Sequence, residues 1–148
     1  MKAAVDTNIL AYVEGVNGND RQLAAIEVLE RIPQECRLLP VQALGELYDV
    51  LVRKAKWSPN RARAVVTAWR SGFEVAPTTA SAIIAAIDVA ADHRLTIWDS
   101  VMLAVAAEND CCLFLSEDLQ DGFTWGGVTV ANPLAATRHP LLEALLTG

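Results

Sequence analysis

Short unbroken apolar blocks alternate along the chain with longer segments whose apolar residues recur three and four apart. The blocks at residues 2–5, 36–39, 73–75, 112–115 and 128–130 predict five strands. Pro40 stops the second block. Between them the pattern predicts helices over 8–14, from Asp20 (as N-cap) to Ile32, over 41–56, from Ser58-Pro59 onward, and over 80–93, 99–108 and 140–146. In the third of these, Leu44, Leu47, Tyr48, Leu51 and Ala55 form the inward stripe. In the fifth, Ile83, Ile84, Ile87, Ala90 and Ala91 do so. Strands that alternate with helices predict a three-layer α/β/α sandwich around a mainly parallel, about five-stranded sheet. No repeat, low-complexity tract or linker divides the 148 residues, so a single domain over 1–148 is expected.

Two strands run into carboxylates. Ala3-Ala4-Val5 ends on Asp6, and Cys112–Leu115 ends on Ser116-Glu117-Asp118. Ligands of parallel sheets bind outside the carboxyl ends of the strands, which places Asp6 and Asp118 at one edge. Local alternation turns Glu117 the other way, toward solvent. Asp99 stands between an apolar stretch and a helix start. Each has a plainer reading too: Asp6 or Thr7, and Asp99, could be helix N-caps. Glu46 lies opposite the Leu44, Leu47 and Leu51 stripe, and periodicity alone makes it an exposed helix glutamate.

Composition narrows the class. Hydrophobic residues make up 53% and charged residues 20%, values of a folded domain. No apolar run approaches the ~20 residues that span a bilayer, and no signal-peptide layout is present, so a cytoplasmic protein is expected. The three cysteines, two of them adjacent, form neither a disulfide framework nor a CxxC metal spacing and read as buried thiols in a reducing compartment. The net charge of −6 is uneven. Arg53, Lys54, Lys56, Arg61, Arg63 and Arg70 fall in one stretch that contains no acid. That stretch is either a solvated pair of helix faces or a phosphate-contacting surface.

Carboxylates gathered at one edge repel unless something compensates them. An all-oxygen site without a His/Cys grouping favours Mg²⁺ or Mn²⁺ over zinc, and such ions most often handle phosphates. His93 and His139 are isolated and read as structural.

The order AVDTNIL, GELYDVLVRK, LTIWDSVMLAVAAENDCCLFLSEDLQDG and VTVANPL resembles a PIN-domain ribonuclease, and most closely the VapC-type toxins of bacterial type II toxin–antitoxin pairs. The resemblance runs from Lys2 to about Leu134; each motif alone is weak, and the four in this order are specific. It implies an acidic quartet of Asp6, Glu46, Asp99 and Asp118 that holds one or two Mg²⁺ or Mn²⁺ ions for hydrolysis of RNA. It implies that Asn8 orients the first acid or a water on the metal, and that Ser116 is a supporting hydroxyl. Asp121 competes with Asp118 for the fourth acidic role. Trp98 stands where a smaller aromatic is common. The basic residues Arg53, Lys54, Lys56, Arg61 and Arg63 become candidates for contact with the RNA backbone. A homodimer and a cognate antitoxin are the implied partners, with Trp57 and Trp69 compatible with an antitoxin groove. Trp125, flanked by glycines, reads as a core anchor.

Rival classes fit less well. A phosphoacceptor receiver domain needs a late lysine, and the only lysines are Lys2, Lys54 and Lys56. An aspartate-nucleophile phosphatase needs a second acid two residues after Asp6, where Asn8 stands. Neither GxGxxG nor GxxxxGK[ST] is present. The remaining alternative is a catalytically inactive PIN-like module that binds RNA or a protein.

Overall fold

The computed structural model describes all residues, Met1–Gly148. Strands β1 (Lys2–Val5), β2 (Arg37–Pro40), β3 (Glu74–Ala76), β4 (Cys111–Leu115), β5 (Thr124–Trp125) and β6 (Val128–Ala131) form one sheet in the order β3-β2-β1-β4-β6-β5. All pairings are parallel except β5 with β6. The helices are α1 (Thr7–Val13), α2 (Asn19–Arg31), α3 (Val41–Arg53), α4 (Pro59–Ser71), α5 (Ala80–His93), α6 (Ile97–Glu108) and α7 (Pro140–Thr147). The expected α/β/α sandwich is present. The sixth strand, β5, is a two-residue antiparallel edge after Gly122 and before Gly126-Gly127, too short to leave a periodic signal.

The chain leaves β1 for β2 and β3 on one side, then returns across the sheet to β4 and β6 on the other. Right-handed crossovers therefore put the helices of the outward and return paths on opposite faces. The packing agrees: α1 to α4 and α7 pack among themselves, whereas α5 and α6 pack on each other. The strand order reverses between β1 and β4, and the crevice at such a reversal is where α/β sheets bind ligands. β1 and β4 are almost wholly buried because helices cover both faces, hence their unbroken apolar runs.

Two helices are rotated from the faces that periodicity predicted. In α3 the buried residues are Ala43, Leu47 and Leu51, while Tyr48 is exposed and Leu44 only half-buried. In α5 they are Ala82, Ala86 and Val89; Ile84 and Ile87 are 63% and 49% exposed, and Ala91 is exposed too. The cause is close packing of α5 on α6, which accepts small alanines at the seam and turns the larger isoleucines outward. Helix α3 also stops at Arg53, because Lys56 takes a left-handed conformation (φ 59°) that lets Trp57 N–H donate to Leu51 O (3.0 Å). Gly18, not Asp20, occupies the N-cap of α2. Cys111 is buried, but Cys36 and Cys112 are only half-buried. No helix is long and apolar enough to cross a membrane.

Arg94 ends α5 in the left-handed region (φ 56°, ψ 38°), where a Cβ is unfavourable. Arg94→Gly is expected to raise stability by about 0.5–1 kcal/mol. A higher urea midpoint at unchanged m-value in equilibrium unfolding is the expected readout.

Candidate active site

Asp6 follows directly on β1, and its N–H donates to Leu115 O (2.9 Å), continuing the ladder one residue past the strand. It does cap α1, since its Oδ1 accepts from Thr7 N–H (2.7 Å). Capping is only part of its role. Its second oxygen accepts from the Ser116 hydroxyl (2.8 Å), one residue past β4. Ser116 Oγ in turn accepts from Asp118 N–H (3.1 Å) and Leu119 N–H (3.4 Å), which fixes the turn carrying Asp118. Asp6, Thr7 and Ser116 are three of the four buried polar residues in the protein. A fold that concentrates buried polar groups at one sheet edge, all with hydrogen-bond partners, has built a site there.

The other acids arrive from the helices. Asp99 sits in the first turn of α6, the helix that precedes β4 and so begins at the same edge. It is not the N-cap: Thr96 caps α6, accepting from Asp99 N–H (3.3 Å). Glu46 is half-buried on α3, flanking the true stripe of Ala43 and Leu47 rather than opposing it. Its Oε1 accepts from the Thr7 hydroxyl (2.9 Å), which ties it to Asp6 through adjacent residues of one chain. Asn8 Nδ2 donates to Asp118 Oδ2 (2.6 Å).

Electrostatics couples the acids to one another. Asp6, only 4% exposed, has its carboxyl pushed up to about 7. Burial is the largest cause, and the charges of Asp118 and Asp99 add to it against the Ser116 and Thr7 hydrogen bonds. Asp118 is raised as well, by burial and then by Asp99, with the Asn8 hydrogen bond and the charge of Lys54 opposing. Asp6, Asp99 and Asp118 thus share one field, and Glu46 joins through Thr7. No three His, Cys, Asp or Glu side chains are grouped tightly enough to hold an ion directly as they stand. The donor set is nonetheless all oxygen, mutually repelling and incompletely neutralised, which fits a hard divalent ion that keeps several of its waters.

The model of the PIN domain family matches residues 3–120, a span that includes all four of these acids. The chain belongs to the PIN domain family. Its fold is similar to that of Mycobacterium tuberculosis VapC20, a sarcin–ricin-loop cleaving toxin, at 22% identity and a TM-score of 0.67 over 79% of this chain and 92% of that one. A toxin–antitoxin complex from Klebsiella pneumoniae aligns at 19% identity and a TM-score of 0.66, over 89% and 98% of the two chains. DNA-bound VapBC from Salmonella typhimurium aligns at 17% and 0.63, over 88% and 96%. No curated protein sequence matches.

Other expected residues of this PIN domain make contacts of their own. Asp121 is exposed and its Oδ1 accepts from Asn132 N–H (2.9 Å), so it staples the loop after β4 to the end of β6. Glu117 does not face open solvent as alternation suggested; the turn swings it onto Tyr12, whose hydroxyl donates to it (2.7 Å), and onto Arg21. In the basic stretch Arg53 pairs with Asp49 (2.8 Å), Arg61 stacks on Trp57 at 3.6 Å and Arg63 donates to Asn60. Trp57 and Trp69 line separate cavities, the first with Lys54 and Glu14, the second with Ile26, Leu29 and Phe73. Trp125 is half-buried against the core. His93 packs edge-on to Phe123, and His139 caps α7 by accepting from Leu141 N–H. Sequence reasoning missed Thr7 as the link to Glu46. The available signal was the run Asp6-Thr7-Asn8, three polar residues after a buried strand, more than one cap requires.

Holding Asp6 ionised at a value of about 7, against 3.8 for a free carboxyl, opposes folding by on the order of 4 kcal/mol. A raised carboxyl contributes stability that is full below its unfolded value and lost as pH rises through the folded one. The stability of metal-free Asp6→Asn relative to wild type is therefore expected to improve between about pH 4 and pH 7 and then level off. A difference that stays flat across thermal denaturations in that range would contradict this account of Asp6. Thr7→Val should release Glu46 while preserving the Asp6 cap, to which Thr7 donates through its main-chain N–H. Its stability cost should be about 1 kcal/mol, measured by urea unfolding.

Proposed function

We propose that this chain is a metal-dependent endoribonuclease that acts as the toxin of a toxin–antitoxin pair. The observation that carries the reading is the buried Asp6, held at the strand-order reversal by Ser116 and Thr7 and repelled by Asp99 and Asp118. Such an arrangement is costly unless a cation or a cation-bearing substrate occupies it. Asp6, Asp99 and Asp118, with Glu46, would hold one or two Mg²⁺ or Mn²⁺ ions. A bound divalent ion supplies an activated water and neutralises charge on the phosphoryl oxygens.

The chain's own residues do the rest. Ser116 and the Thr7 amide fix both oxygens of Asp6, so its carboxylate cannot rotate away. Asn8 restrains Asp118, the Thr7 hydroxyl restrains Glu46, and each restraint holds an oxygen donor at the edge of the site. Lys54 is near enough to favour ionised Asp118, which brings the basic stretch to the edge of the acidic site. Arg53, Lys54, Lys56, Arg61 and Arg63 then form the track for the RNA backbone. No histidine or serine nucleophile is required. VapC20 is described as cleaving the sarcin–ricin loop, and the Klebsiella and Salmonella relatives as toxin–antitoxin or VapBC assemblies, which supports an RNA target and an antitoxin partner here. A toxin homodimer belongs to the same reading. A compartment where RNA and a reduced Cys111 coexist, the cytoplasm, fits this role.

Purified protein free of antitoxin is expected to cleave total RNA with Mg²⁺ or Mn²⁺, to stop with EDTA, and to lose at least about a hundredfold in rate as Asp99→Asn. If folded wild type and variant are equally inert with every metal, the chain is a binding module instead. Neutralising Arg61 and Arg63 together should weaken RNA binding and flatten the dependence of log K on log salt by about 0.7 for each phosphate that is no longer neutralised. Unchanged binding and slope would remove the basic track.

A further inference from the structure

Helices α3 and α6 flank a shallow, open depression of about 430 Å³ lined by Gln42, Gly45, Glu46 and Trp98. Glu46 lines it and also accepts from the Thr7 hydroxyl beside Asp6, so the depression borders the carboxylate site. Trp98 lies one residue before Asp99. It is 57% exposed, whereas Trp57, Trp69 and Trp125 are half-buried and pack on the core. An exposed tryptophan is an expense for a folded protein, and here its backbone is held in place: Gln42 Nε2 donates to the Trp98 carbonyl (3.1 Å), pinning the first turn of α6 to α3.

Gly45 lies in the middle of α3, where glycine is the poorest helix former apart from proline. Packing does not explain it. A Cβ at this position would meet nothing within 4 Å, and its backbone needs no left-handed conformation. Gly45 shares the lining of the depression with Trp98, and a side chain there would project into open space.

We propose that this depression is a nucleobase subsite, in which Trp98 stacks on an unpaired base next to the scissile phosphate. The inference rests on the nuclease reading and deepens it. A π-face is what every base offers, and an indole answers it without regard to hydrogen-bond pattern. The neighbouring carboxylates of Glu46 and Asp99 disfavour an acidic peptide side chain in the same place, while a neutral base is accommodated and its phosphate is left beside the metal-binding acids. Trp98 is then a specificity-determining residue. It selects single-stranded nucleotides, whose bases are free to leave a stack, and it prefers purines for their larger face.

The test is anisotropy of fluorescein-labelled hexa-adenylate and hexa-uridylate RNA bound to the full chain, with Ca²⁺ replacing Mg²⁺. Wild type should bind the adenylate more tightly. Trp98→Ala should weaken adenylate binding by about tenfold or more and erase the preference, and Trp98→Phe should restore most of both. Gly45→Leu should fill the depression and reproduce the loss with thermal stability at least equal to wild type. The proposal is overturned if wild type does not bind or shows no purine preference. It is overturned equally if Trp98→Ala and Gly45→Leu stay within about twofold of wild type. Cleavage of total RNA by wild type, scored separately, keeps the two readings apart: persistent metal-dependent cleavage alongside unaffected variants removes the subsite and leaves the nuclease.

Discussion

A carboxylate 4% exposed at the end of a central strand is the constraint around which this protein is arranged. Burial and two neighbouring acids oppose its charge. Two hydrogen bonds, from the Thr7 amide and the Ser116 hydroxyl, hold its oxygens in place without cancelling that charge. The surrounding elements then become understandable as supports. Parallel pairing of Val5 with Leu115 brings the ends of β1 and β4 level, so Asp6 and Ser116 meet side by side. A one-residue slip in that register would turn Ser116 to the other face and leave Asp6 buried without its second partner.

The topology supplies the remaining acids in a way that local structure could not. Helix α3 leaves β2 and helix α6 leads toward β4, from opposite layers of the sandwich, yet both begin at the edge where β1 and β4 end. Asp99 and Glu46 are therefore delivered by separate rigid helices. Their positions are set by core packing, at Leu47 and Leu51 on one side and Val101, Leu103 and Val105 on the other. Carboxylates on different packed elements cannot relax apart by turning a single loop. The repulsion among them persists in the folded state. The same convergence of α3 and α6 creates the Gly45–Trp98 depression beside the acids.

Most of the architecture was legible along the chain because fully buried strands must be continuously apolar and amphipathic helices must be periodic. Three acids, Asp6, Asp99 and Asp118, were legible as strand-end or helix-start carboxylates. Periodicity failed where packing partners are small. Counting apolar residues in α5 favoured its isoleucines, but the seam with α6 selected alanines. In α3 the same error rotated the stripe and made Glu46 look exposed; resemblance to a family, not pattern, placed it in the site. Asp121 carried the right charge within a few residues of Asp118, and only the loop's hydrogen bond to Asn132 shows it serving as a staple.

By itself, the amino-acid sequence determined most of the strands and helices, the alternation of the two that yields a mainly parallel sheet, and the chemistry available at the strand ends. Those follow from local propensity and from the period of apolar residues, properties each segment carries alone. The tertiary structure decided which face of α3 and α5 is buried, that Thr7 reaches Glu46 across 39 positions, and that Ser116 completes the setting of Asp6 while Asp121 turns to Asn132. Helix rotation depends on the shape of the neighbouring helix, and a hydrogen bond between distant residues depends on strand register. Neither quantity exists until the layers have packed.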